Sequence, residues 1–153
     1  MLAAIRPDEW NFPLLLHVLG AMLLVGAMTV AVTALLLGWR RDAGPYTRLA
    51  FFTLLLLALP SYVLMRVGAQ WVESKEFGEA AESPGWVGVG YVTADLGALL
   101  LLVTLIVTGI GTRRLGRSGA PRSGLTRAAA VLSTILLAAW VVAVWAMTAK
   151  PGA

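Results

Sequence analysis

The sequence predicts an all-α integral membrane protein, a four-helix bundle with its N-terminus and C-terminus outside. Three observations carry this prediction. Of the 153 residues, 59% are hydrophobic and only 13% are charged, about half the charged fraction of an average soluble domain. Four apolar runs each have at least the roughly 20 residues that cross a bilayer. Arginines are concentrated in alternate links between these runs.

The four runs account for most of the chain, so residues 1–153 are expected to form a single transmembrane domain. The runs extend over about residues 13–37, 49–72, 86–111 and 128–148. At about 1.5 Å per residue each would form a helix roughly 30–40 Å long, which is enough to span a membrane with some tilt.

The charges of the links predict the orientation. Two links are rich in arginine: Arg40, Arg41 and Arg48 in the first, and Arg113, Arg114, Arg117, Arg122 and Arg127 in the third. The middle link is acidic and contains four glutamates: Glu73, Glu76, Glu79 and Glu82. Because links rich in Lys and Arg stay in the cytoplasm, the acidic link and both termini are predicted outside.

The first run lies between Trp10 and Trp39 and contains His17, the only histidine of the chain. A neutral imidazole among apolar side chains needs hydrogen-bond partners. Three interpretations follow: a structural hydrogen bond between helices, a part in a proton or ligand site, or an axial ligand to haem or copper.

The second run contains Pro60, which removes one backbone hydrogen bond and frees the carbonyl of Leu56. A kink there would splay the outer half of the helix, which carries Tyr62 and Arg66. The alternative is a tolerated proline whose freed carbonyl bonds to a neighbour or water.

The third and fourth runs carry small residues and tryptophans. Gly90, Ala94 and Ala98 recur at steps of four in the third run, and such stripes allow membrane helices to pack closely. They suit a compact bundle, a second copy of the chain or a different subunit equally well. Trp140 and Trp145 lie in the fourth run. An aromatic belt at the headgroups explains them, and a pocket wall is the alternative.

Few ionisable side chains lie within the runs, and the topology places them in the outer half. Arg66 and Asp95 lie at similar predicted depths to His17, so the three could meet in one layer. An Arg66–Asp95 pair would remove most of the cost of two charges in lipid. Tyr62 and Tyr91 each precede a charged residue by one turn and could complete a ligand or proton site. Alternatively, Arg66 snorkels to the headgroups and Asp95 faces a water-filled crevice.

One stretch resembles a known family. The sequence LHVLGAMLLVG, from Leu16 to Gly26, resembles the opening helix of bacterial copper-resistance proteins of the CopD type and related uncharacterised families. The stretches LPSYVLMRVGAQWV and GWVGVGYVTADLGALLLL also look like uncharacterised four-helix proteins of high-GC Gram-positive bacteria. The resemblance implies copper handling or haem binding, with His17 as the suggested metal site.

The sequence lacks the residues that several activities require. The chain has no cysteine, which excludes thiolate metal sites and iron–sulfur clusters. It has no glycine-rich phosphate loop and no His-Glu-x-x-His motif, and neither enzymatic activity nor nucleic-acid binding is expected.

The sequence therefore predicts a small multi-pass protein of the bacterial inner membrane. Its polar site in the outer leaflet would act as a binding or permeation module, or the chain would be an accessory subunit. Its partners would be the lipid bilayer and either further copies of itself or a larger membrane complex. The cofactor is open, and a haem- or copper-binding protein using His17 is the alternative.

Overall fold

The structure, a computed structural model, describes residues 8–76, 85–118 and 124–149. Three residues of the predicted charge pattern lie outside these ranges: Glu79, Glu82 and Arg122. The described residues form helices. They are a 3-10 turn (Asp8–Trp10), α1 (Asn11–Arg40), α2 (Ala43–Thr53), a π-helical turn (Leu54–Ala58), α3 (Leu59–Glu76), α4 (Gly85–Ser118) and α5 (Gly124–Ala149).

The predicted fold class, an all-α bundle of four long apolar helices, is confirmed. Within the described part of the chain, four helical segments could cross a membrane by length and composition: Asn11–Arg40, Ala43–Lys75, Val87–Arg117 and Gly124–Ala149. Large aliphatic side chains such as Leu56, Leu96 and Leu99 are mostly exposed on the outside of the bundle. An exposed apolar surface of this extent suits lipid rather than water.

The helices extend past the apolar runs at the end of the molecule that carries the arginines, which we call the arginine end. Helix α4 continues through Arg113, Arg114 and Arg117, because positive side chains interact favourably with the C-terminal end of a helix dipole. The turn between α1 and α2 is short. The Asp42 carboxylate accepts a hydrogen bond from the Gly44 N–H at 3.1 Å and so caps α2.

The second membrane segment is one continuous helix with a wide turn in its middle. The N–H of Leu59 donates to the carbonyl of Leu54, five residues back, and this π-helical turn lies just before Pro60. Helix α2, before the turn, packs against α4, whereas α3, after it, packs mainly against α1 and has little contact with α4. The wide turn thus divides the second membrane segment into α2, which packs against α4, and α3, which has little contact with α4.

Helices α1 and α3 cross with their backbones in contact. A Cβ atom placed on Gly20 would lie 2.4 Å from the backbone nitrogen of Met65, and one on Gly68 would lie 2.4 Å from the backbone nitrogen of His17. Each helix therefore has one glycine that lies directly against the backbone of the other helix. Close approach of this kind is how membrane helices gain van der Waals packing where lipid offers no hydrophobic drive.

Specific contacts between helices join the bundle toward the arginine end. The buried hydroxyls of Thr47 and Thr126 share a hydrogen bond at 3.1 Å between α2 and α5, and the Arg127 guanidinium lies over the Trp39 ring at 5.7 Å. Toward the opposite end, which carries Glu73 and Lys75 and which we call the acidic end, the pair α1–α3 separates from the pair α4–α5. This separation creates the candidate site.

Candidate functional site

A cavity of about 810 Å³ lies between the two helix pairs in the half of the bundle at the acidic end. All four membrane segments contribute to its wall, which is mostly apolar, with alanine, valine, leucine and methionine side chains. The volume lies within the range of about 300–1,000 Å³ that is typical of small-molecule sites. We therefore take this cavity as the candidate site.

The cavity opens between α1 and α5. The exposed residues of its wall belong to these two helices: Val18, Met22 and Gly26 in α1, and Val141, Val144 and Thr148 in α5. The wall residues contributed by α3 and α4 are half-buried or buried. Since the outside of α1 and α5 is apolar, the opening faces the lipid phase from the side.

His17 lies in the cavity wall, and its ring Nδ1 lies 3.1 Å from the backbone carbonyl oxygen of Met65 on α3. A carbonyl oxygen can only accept, so Nδ1 carries the proton and donates. In the neutral ring the Nε2 atom then keeps its lone pair. Within the described residues Nε2 makes no hydrogen bond. The bond confirms one of the three predicted roles, a hydrogen bond between helices.

A polar strap of four side chains connects α3 and α4 behind the cavity: Arg66, Asp95, Tyr91 and Glu73. The Arg66 Nη2 atom donates to Asp95 Oδ1 at 3.1 Å, which confirms the predicted pairing. The Arg66 guanidinium also lies over the Tyr91 ring, 4.4 Å from its centroid, in the geometry of a cation–π contact. The strap bridges α3 and α4 where their backbones have separated.

Glu73 belongs to this strap, although the sequence assigned it to the acidic link. The Tyr91 hydroxyl donates to the Glu73 carboxylate, and Glu73 lines the cavity. One signal could have found it. Glu73 follows Arg66 by seven residues, which is two helical turns, so both side chains lie on one face of α3.

The predicted layer of His17, Arg66 and Asp95 forms only in part. Arg66 and Asp95 meet, and Arg66 lines the cavity together with His17 and Tyr91. His17 bonds to the backbone next to Arg66, not to either charged side chain. The Asp95 side chain is 63% exposed and lies outside the cavity wall. The structure thus brings Arg66 and Asp95 together, and it places His17 beside Arg66 without a direct bond to either charged side chain.

Tyr62 does not join the charged pair, as the sequence had suggested it could. Its hydroxyl donates to the Ala94 carbonyl at 3.3 Å, and its ring stacks on Trp140 with 6.5 Å between centroids. Trp140 is only 3% exposed and lines the cavity. The aromatic-belt interpretation is thus wrong for Trp140. Trp140 can lie inside the bundle because Gly97 on α4 has no side chain there. A Cβ atom on Gly97 would lie 2.8 Å from the indole Nε1 of Trp140.

The cavity wall also brings together three methionines, Met22, Met65 and Met147. Thioethers and an imidazole are ligands that suit copper(I), and a His–Met pair is one known axial set for haem. The Nδ1–H bond to Met65 would fix the orientation of an imidazole that binds metal through Nε2. These residues therefore fit the groups implied by the resemblance. Within the described ranges no group of three or more His, Cys, Asp and Glu could hold a metal ion.

Comparisons of this chain with protein-family models, with curated proteins and with solved structures found no match. The function must therefore be inferred from the arrangement of residues around the cavity. It comprises a half-open apolar cavity, an imidazole nitrogen with a lone pair in the wall and a charged strap behind it. Such a site can hold a molecule that is mostly apolar and has a small polar part.

Proposed function

We propose that this chain is a non-enzymatic binding module of the bacterial inner membrane, alone or as an accessory subunit of a larger complex. Its acidic end faces outside, because the arginine-rich links stay in the cytoplasm. The ligand occupies the cavity in the outer half of the bundle. The observation that carries the proposal is the cavity of about 810 Å³ walled by all four membrane segments.

The strap supports binding rather than simple packing. In lipid, burial of apolar surface offers no drive for helix association, so neighbouring helices are joined by close van der Waals packing or by polar contacts. Here the Arg66–Asp95 ion pair and the Tyr91–Glu73 hydrogen bond join α3 and α4 across the gap. Polar side chains thus take the place of close helix packing and preserve the cavity.

A cavity-blocking variant tests this proposal. Val144 lies at the cavity opening and is 45% exposed, so Val144→Trp should fill the opening and exclude the ligand. We expect native mass spectrometry of protein released from its membranes to show a bound small molecule on the wild type, reduced about tenfold in Val144→Trp.

Val142→Trp is the matched control, because Val142 is 54% exposed on the same helix but does not line the cavity. It should retain the bound molecule. A wild type without any bound small molecule, or equal occupancy in both variants, would contradict the proposal.

The second candidate is a haem- or copper-binding protein, favoured by the Nε2 lone pair of His17 and the three methionines in the same wall. If it holds, the purified protein supplemented with haem develops a Soret band, or takes up copper(I) in stoichiometric amount. His17→Leu then abolishes the signal, whereas Val142→Trp retains it. A colourless wild type that also binds no copper rejects this candidate.

A further inference from the structure

The wall and opening of the cavity determine where its ligand comes from. The exposed part of the wall belongs to α1 and α5 and consists mainly of valine and methionine; Met22 alone is 68% exposed. This opening is mostly apolar, which suits a molecule dissolved in the bilayer better than one dissolved in water. A molecule already dissolved in the bilayer reaches it by lateral diffusion and exchanges lipid contacts for similar apolar contacts in the cavity.

The polar part of the wall offers hydrogen-bond acceptors. The Met65 carbonyl holds the proton of His17 on Nδ1, so Nε2 presents a lone pair. The Glu73 carboxylate also lines the cavity, and one of its oxygens, Oε2, is engaged by the Tyr91 hydroxyl. A carboxylate accepts several hydrogen bonds, so Glu73 keeps acceptor capacity. A ligand head that donates hydrogen bonds fits these two groups.

The net charge of the strap also favours a head that donates hydrogen bonds. It contains one cation, Arg66, and two carboxylates, Asp95 and Glu73, which give it one excess negative charge when all three are ionised. Arg66 is paired with Asp95 through Nη2 and stacked on Tyr91. Its Nη1 atom has no hydrogen-bond partner among the described residues, but it is buried and not exposed to the cavity. An anionic head would therefore meet net repulsion in surroundings of low dielectric, where charges are screened little.

We propose that the ligand is a lipid-soluble amphiphile whose head donates hydrogen bonds, a hydroxyl or an ammonium group, and that it enters laterally between α1 and α5. This inference rests on the proposed function, since it specifies what the same cavity binds. The apolar body fills the space between the helix pairs, and the head lies against His17 Nε2 and the Glu73 carboxylate.

Photolabelling with matched probes tests the inference. Wild-type protein in phosphatidylcholine nanodiscs receives diazirine probes with one alkyl chain in common and a hydroxyl, ammonium or carboxylate head. We expect the hydroxyl and ammonium probes to label α1 and α5 about tenfold more than the carboxylate probe, which corresponds to the gain or loss of one charge-assisted contact. Val144→Trp should reduce the labelling and Val142→Trp should not.

Two further variants separate the two heads. Glu73→Gln removes a charge but keeps an acceptor oxygen, so it should reduce labelling by the ammonium probe more than by the hydroxyl probe. His17→Leu removes the ring acceptor and should reduce labelling by both.

The contrary outcomes are distinguishable. If the carboxylate probe labels the wild type as strongly as the other two, the head inference is overturned while binding in the cavity stands. If Val144→Trp leaves the labelling by every probe unchanged, the label is not in the cavity, and the proposed function fails with the inference.

Discussion

Gly20→Ala is expected to destabilise the bundle by about 3 kcal/mol or more, at or beyond the upper end of ordinary overpacking effects. The added methyl carbon would lie 2.4 Å from the Met65 nitrogen and 2.7 Å from its Cα, and backbone atoms cannot rotate away as a flexible side chain can. Helices α1 and α3 must separate, which also breaks the His17–Met65 hydrogen bond. Gly68→Ala should behave similarly, because its methyl carbon meets the backbone of His17.

Gly26→Ala is the matched control on the same helix, since no atom lies within 4 Å of the Cβ it would add. The measurement is the detergent-induced unfolding transition of each variant in mixed micelles, followed by circular dichroism. Equal midpoints for Gly20→Ala and Gly26→Ala would show that α1 and α3 do not cross in backbone contact.

The Arg66–Asp95 pair is expected to show strong coupling in a double-mutant cycle. Asp95→Asn leaves the guanidinium without its counter-ion at membrane depth, which costs up to about 3 kcal/mol on insertion scales. Arg66→Leu should cost less, because an unpaired carboxyl group can take up a proton whereas guanidinium stays charged. The double variant, in which neither member of the pair is charged, should recover much of the loss.

The same unfolding measurement gives the coupling energy of the pair. A double variant whose destabilisation equals the sum of the two single changes would mean that the side chains do not interact in lipid. Thr33→Val, at an exposed position on α1 far along the sequence from both residues, serves as a control that should add independently to either change.

The class of the protein was predictable from the chain alone because a bilayer tolerates few solutions. Backbone polar groups in lipid must bond within their own segment, so an apolar run of sufficient length becomes a helix. The Arg66–Asp95 pair was predictable for a related reason. Two opposite charges at similar depth on neighbouring segments lose most of their cost by meeting, and the structure places them 3.1 Å apart.

The partners of the uncharged residues were not predictable in this way. Gly68 lies among residues that give no small-residue stripe, and only the crossing of α1 over α3 shows that it meets the His17 backbone. Trp140 looked like a headgroup anchor until Gly97 on α4 was seen to accommodate its ring. Both cases depend on the rotation of one helix against another, which hydropathy along a single chain does not encode.

The sequence by itself determined the helical fold class, the number of segments suited to a membrane and the meeting of the two opposite charges. These follow from hydropathy, length and the cost of charge in lipid, which are properties of each segment. Only the tertiary structure decided that two helix pairs separate at the acidic end, that the resulting cavity opens between α1 and α5, and that His17 turns its Nδ1–H toward a backbone carbonyl. The physical reason is that lipid is as apolar as the helix surfaces, so the pairing of helices is determined by local shape and by individual polar contacts.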